Sequence, residues 1–203
     1  MARNKSNKKL RFKFAVLGDG RTEQYYLAHL KTLKSYGYSV KPSLFDNITL
    51  SQSEEIIEDL LEGGCDKIIF LTDFDTVVNQ NKKEQFNKLV KKYTKNKKVI
   101  ICETMPSIEF WFLLHYQYTT KLFQNAKEVE NALKKYIPEY SKEQNNFLKN
   151  IKWVEQLCSN GKFENAIKNG EKTIIEKNKS NSDSHLPFTK MSLCIEEFEK
   201  NKK

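Results

Sequence analysis

Ile68, Ile69, Phe70, Leu71 and Thr72, running into Asp73, Phe74 and Asp75, constrain the fold more than any other stretch of this 203-residue chain. A short unbroken apolar run reads as a strand buried on both faces, the interior of a parallel sheet. Side chains two apart in a strand share a face, so Asp73 and Asp75 are expected to project together. They stand at the strand's end, where open α/β sheets bind their ligands. Two like charges side by side repel, and a divalent cation relieves that repulsion. The pair therefore predicts a carboxylate site for Mg²⁺, with Mn²⁺ as the alternative ion.

The segments around this run alternate. Phe12 to Leu17 reads as a strand, followed by the polar turn Gly18 to Glu23 and a helix with Tyr26, Leu27, Leu30 and Leu33 on one face. Thr22 is the expected N-cap and Gly37 the expected stop. Tyr38 to Phe45 reads as a second strand. A helix capped by Ser51 or Ser53 runs to Leu61 and ends at Gly63 and Gly64. After Asp75 come a Lys-rich helix over about 82–95 and a buried strand, Val99 to Cys102. Pro106 and Ser107 open an apolar helix, Ile108 to Tyr116, with Ser107 as its cap. Further helices are expected at 127–136, 144–158, 163–176 and 189–200, and 177–185 reads as a polar loop. This predicts an α/β fold with a mainly parallel sheet of about four strands flanked by helices, and a helical C-terminal part. A flexible basic N-terminus (1–11) should precede a single domain (12–203), divided into an α/β core (12–117) and a mostly helical extension (118–203).

The formal charge is +9 with 30% charged residues, which favours anionic partners, nucleic acid foremost. The cysteines (Cys65, Cys102, Cys158, Cys194) are far apart and show no metal-binding or disulfide spacing, and they read as small core residues of a reduced protein. No apolar run approaches the ~20 residues of a membrane span, and no signal-peptide core is present. A cytoplasmic location is expected.

Asp19 and Glu23 flank the turn after the first strand, on the sheet edge where Asp73 and Asp75 stand, so acids from two strand ends can converge. Mg²⁺ keeps several waters, and two or three carboxylates suffice to hold it. Arg21, between these acids, is placed to contact a phosphate. Glu109 and His115 lie on the helix after the last core strand, and Trp111 between them reads as core. The stretch around Asp73 and Asp75 also resembles the first motif of haloacid-dehalogenase-type phosphatases, with a nucleophilic Asp followed by an acid/base Asp. In that family the motif sits on the first strand, with a later Gly-Asp-x-x-x-Asp pair. Here two β/α units precede it and no such pair follows.

Four ordered motifs, Asp19-Gly20-Arg21-Thr22-Glu23, then Thr72-Asp73-Phe74-Asp75, then Pro106 to His115, then Pro187-Phe188-Thr189-Lys190, resemble the RloB family over about residues 12–200. Those proteins are bacterial, associated with restriction and phage-defence loci and abortive infection, and related to the Toprim fold. Their pattern is similar to Glu-Gly-x-Thr-Glu after the first strand, Asp-x-Asp at the third, and Phe-Glu-x-Trp-x-x-x-His on the next helix. Position 19 departs from it, with Asp where the family pattern has Glu.

The resemblance implies a Toprim-like site in which Asp19, Asp73 and Asp75 bind Mg²⁺ or Mn²⁺ for phosphoryl-transfer or nuclease chemistry. Glu23, Glu109 and His115 match further family positions and are the candidate catalytic groups, with Arg21 as the phosphate contact. The implied function is a metal-dependent nuclease acting on RNA such as tRNA, or on DNA, in anti-phage defence. The competing expectation is a non-catalytic or regulatory subunit serving an ATPase partner encoded nearby, and self-association into a homo-oligomer is compatible with either.

Overall fold

The computed structural model describes residues 12–74, 77, 82–180 and 186–202. Five strands form one sheet in the order β2-β1-β3-β4-β5. They are β1 (Phe14–Gly18), β2 (Ser39–Lys41), β3 (Lys67–Asp73), β4 (Val99–Met105) and β5 (Phe188–Thr189). The first four are parallel, and β5 runs antiparallel along β4 with Thr189 opposite Thr104. The fold is α/β with a mainly parallel sheet, as expected, but with five strands rather than about four. β5 has only two residues, too few to show an alternation. It is locked to β4 by the hydroxyls of Thr104 and Thr189, 2.9 Å apart.

Alternate residues of the central strands feed two cores. Phe14, Val16, Ile69 and Leu71 face one side, where α1 (Arg21–Lys34) and the later helices pack. Ala15, Leu17, Ile68 and Phe70 face the other, under α2 (Leu50–Glu62) and α3 (Lys83–Tyr93). A strand sandwiched this way has no polar face, which is why β3 reads as an unbroken apolar run.

The helical part comprises α4 (Ile108–Leu114), α5 (Ala126–Leu133), α6 (Asn145–Lys149), α7 (Lys152–Cys158), α8 (Lys162–Lys179) and α9 (Met191–Lys200). Every residue of α4 is buried. At its centre Trp111 donates from Nε1 to the Tyr26 hydroxyl at 2.7 Å, tying α4 to α1. The helix expected over 144–158 is two pieces. Asn150 takes extended backbone between them, and its Oδ1 accepts the Lys152 N–H at 3.1 Å, competing with helical continuation.

Several termini also differ from expectation. Thr49, not Ser51 or Ser53, caps α2, and with Gln52 it makes a reciprocal capping box. The cap position of α1 is Gly20, and Thr22 lies inside the first turn. That helix stops at Ser35 in left-handed backbone (φ 59°), before Gly37. The second strand shrinks to three residues, and 42–49 follows as irregular chain toward the sheet's C-terminal edge. Cys65, Cys102 and Cys194 are buried and Cys158 is half-buried. Among the described residues no helix is long and apolar enough to cross a membrane. The basic N-terminus (1–11) and residues 181–185 of the expected loop lie outside the described residues.

Candidate functional site

From β1 the chain moves outward to β2, then back across β1 to β3, so the direction of winding reverses between β1 and β3. Such a switch point leaves a crevice at the C-terminal strand ends. Asp19 follows β1 and Asp73 closes β3. The two are stitched together: Asp19 Oδ2 accepts the Thr72 hydroxyl at 2.8 Å and the Asp73 N–H at 3.4 Å. The shorter acid at position 19 is thereby held against the end of β3.

Asp73 Oδ1 accepts the N–H of Ile108 at 2.8 Å, so an acid from β3 caps α4. This replaces the cap expected from Ser107, whose hydroxyl donates to Glu109 Oε2 at 2.6 Å. β3 ends at Asp73 and Phe74 already has helical backbone. Asp75 itself lies outside the described residues.

Asp73, Asp19, Glu23, Glu109, Arg21 and Lys142 meet around one cleft of about 420 Å³, which Asn47 and Glu143 also line. Glu23, in the first turn of α1, is 4% exposed. Burial first, and then the charges of Asp19 and Glu109, push its carboxyl up to about 8. Two glycines let it sit there. A Cβ on Gly18 would meet Glu23 Cβ at 2.6 Å and the Gln24 backbone nitrogen at 3.1 Å, and one on Gly20 would meet Glu23 Oε2 at 2.5 Å. Gly18→Ala should therefore force α1 off the strand end and lower stability by about 1–3 kcal/mol, measured as a lower urea midpoint at unchanged slope.

Glu109 is 1% exposed and fully engaged. Besides Ser107 it accepts the Tyr140 hydroxyl at 2.8 Å, and Lys142 Nζ lies 3.9 Å away. Partial burial opposes the charged form of Lys142, but Glu109, Asp73 and Glu23 outweigh it and raise its ammonium above the usual lysine value. On another part of the rim, Arg21 donates to Asn145 Oδ1 at 2.9 Å. Tyr140 and Lys142 belong to the chain between α5 and α6 and Asn145 opens α6; they carry no motif and are remote in sequence from the strand ends. Nothing local marks them.

His115 is not brought to the cleft. It is 1% exposed, packed edge-on to Trp111 at 4.8 Å and near Phe163. Its Nδ1 donates to the Trp111 carbonyl at 2.9 Å, and burial pushes the ring down to about 3, so the imidazole is neutral. The structure places it in the core between α4 and α8, outside the cleft-lining residues, where the expected catalytic role is not supported by position.

Among the described residues no three His, Cys, Asp or Glu side chains group closely enough to hold a metal ion by themselves. The donor chemistry nonetheless suits a hard divalent cation. Oxygen is the only donor atom the acids offer, and crowding holds Glu23 protonated near neutrality, which a bound cation would reverse.

The family model for RloB-like proteins matches residues 14–198. The chain belongs to the RloB-like family. The match runs from β1 to α9, so the RloB-like unit includes both the sheet that carries Asp19 and Asp73 and the helical part that carries Lys142. The Asp73 stretch is third among its strands, unlike the first-strand motif of haloacid-dehalogenase-type phosphatases. Comparison with curated proteins and with solved structures gives no match.

Proposed function

We propose that this RloB-like chain is a Mg²⁺- or Mn²⁺-dependent phosphodiesterase that cleaves nucleic acid, RNA such as tRNA or DNA, in bacterial anti-phage defence. One observation carries the reading: a chain of charge +9 keeps, at its topological switch point, a cleft lined by five acids against Arg21 and Lys142. A polyanion drawn to that surface meets carboxylates where the sheet ends, an arrangement that makes sense when a divalent cation mediates between them.

Asp19 and Asp73 would hold the cation, with Asp75 as the family pattern implies. When bound, the ion polarises the scissile phosphate and neutralises charge on the leaving oxygen. Glu23, in its ionised form, would take the proton from the attacking nucleophile; burial and the charges of Asp19 and Glu109 place its carboxyl at about 8, within reach of that role. Arg21 engages a phosphate oxygen. Glu109 acts at one remove, anchoring Tyr140 and the segment that carries Lys142.

The test is cleavage of end-labelled RNA and DNA strands with Mg²⁺ or Mn²⁺, beside calorimetric titration of Mn²⁺. Wild type should cleave and bind the ion, and Asp19→Asn should do neither appreciably. Undiminished cleavage in Asp19→Asn would overturn the reading. Failure to bind Mg²⁺ or Mn²⁺ at millimolar concentration would favour the alternative, a non-catalytic subunit beside an ATPase partner.

A further inference from the structure

Lys142 lines the acid cleft, where among the described residues its ion pair is with Glu109. Its ammonium is 3.9 Å from Glu109 Oε1, beyond hydrogen-bonding distance, and among the described residues it donates to no acceptor. Glu109 does not need it, having Ser107 at 2.6 Å and Tyr140 at 2.8 Å. The lysine side chain is 38% exposed, so most of it has left water. The long ion pair with Glu109 leaves the ammonium's N–H donors without a hydrogen bond among the described residues, so an anion entering the cleft can accept from them. Lys142 lines the same cleft as Asp73 and Arg21. Arg21, held by Asn145, is positioned from the same 140–145 segment.

We infer that Lys142 is a substrate-contacting residue, donating directly to a non-bridging oxygen of the nucleic-acid phosphodiester that enters this cleft. The segment before α6 thereby supplies a cation to a site whose Asp19 and Asp73 stand at the strand ends. This rests on the phosphodiesterase reading for the identity of the anion. A lysine that merely neutralised Glu109 would affect folding, not the electrostatics of binding.

Binding is measured by fluorescence anisotropy with a labelled single-stranded RNA and its DNA counterpart, in Ca²⁺ to keep the strands intact, from 50 to 200 mM KCl. Removing one phosphate contact should weaken binding about tenfold and flatten the slope of log K against log salt by about 0.7. Lys142→Ala and Lys142→Gln should both do this, and Lys142→Arg should keep the wild-type slope. A wild-type slope in both neutral variants overturns the inference, as does a lowered melting temperature with binding unchanged or no wild-type binding to either strand. Cleavage in Mg²⁺ is scored separately. A chain that shows the slope change but never cleaves retains Lys142 as a phosphate contact and loses the phosphodiesterase reading.

Discussion

Asp73→Ala is expected to cut metal-dependent cleavage by at least about a hundredfold and, separately, to loosen α4. Outer-shell partners of metal ligands cost about 10–100-fold when removed, so a direct ligand should cost at least the top of that range. The second effect follows from Asp73 Oδ1 accepting the Ile108 N–H at 2.8 Å. Losing a helix cap costs about 0.5–2 kcal/mol, and here the freed N–H belongs to a helix with every residue buried. Asp73→Asn separates the two effects because its amide oxygen can still cap α4 while the charge is gone. The expected pattern is near-wild-type stability with lost cleavage for Asn, and loss of both for Ala. Equal cleavage by Asn and wild type would remove Asp73 from the chemistry and leave it a structural cap.

The second large effect is a pH dependence carried by Glu23. Its carboxyl ordinarily titrates near 4.5, and in the fold burial and the neighbouring Asp19 and Glu109 push it to about 8. Between those values the native state holds a proton that the unfolded state gives up. Stability from this group is therefore full below about pH 4.5 and is lost as pH rises toward 8. At about 1.4 kcal/mol per pH unit, the span is on the order of 5 kcal/mol. Glu23→Gln keeps the shape without the titration, so in EDTA its melting temperature should exceed wild type's by a growing margin from pH 5.5 to 8. Added Mg²⁺ should close that margin, because a cation stabilises the ionised carboxylate that the metal-free cleft disfavours. Parallel melting curves for the two proteins across this range would show that Glu23 does not carry the charge strain. His115 works in the opposite sense, losing stability below about pH 6.5, which is why the comparison is between variant and wild type rather than absolute.

The sequence by itself determined the sheet, the family and the acids. A short apolar run ending in polar turn residues reads as an interior strand, and alternation of strands with amphipathic helices favours parallel pairing, which puts Asp19 and Asp73 at the same edge. Local chemistry settled less than it promised. Ser51, Ser53, Thr22 and Ser107 all have the right side chain for a cap, but caps are chosen by which oxygen the folded neighbour offers, and at α4 that was Asp73 from β3. Glu109 and His115 sit six residues apart in one motif, yet one reaches the cleft through α4's first turn and the other is sealed among Trp111 and Phe163. Only the tertiary structure decided that difference, and only it brought Tyr140 and Lys142 to Glu109 from the far side of α5. A contact made by packing across more than 30 residues leaves no periodicity and no spacing in the chain, because the forces that form it act between surfaces rather than along the backbone.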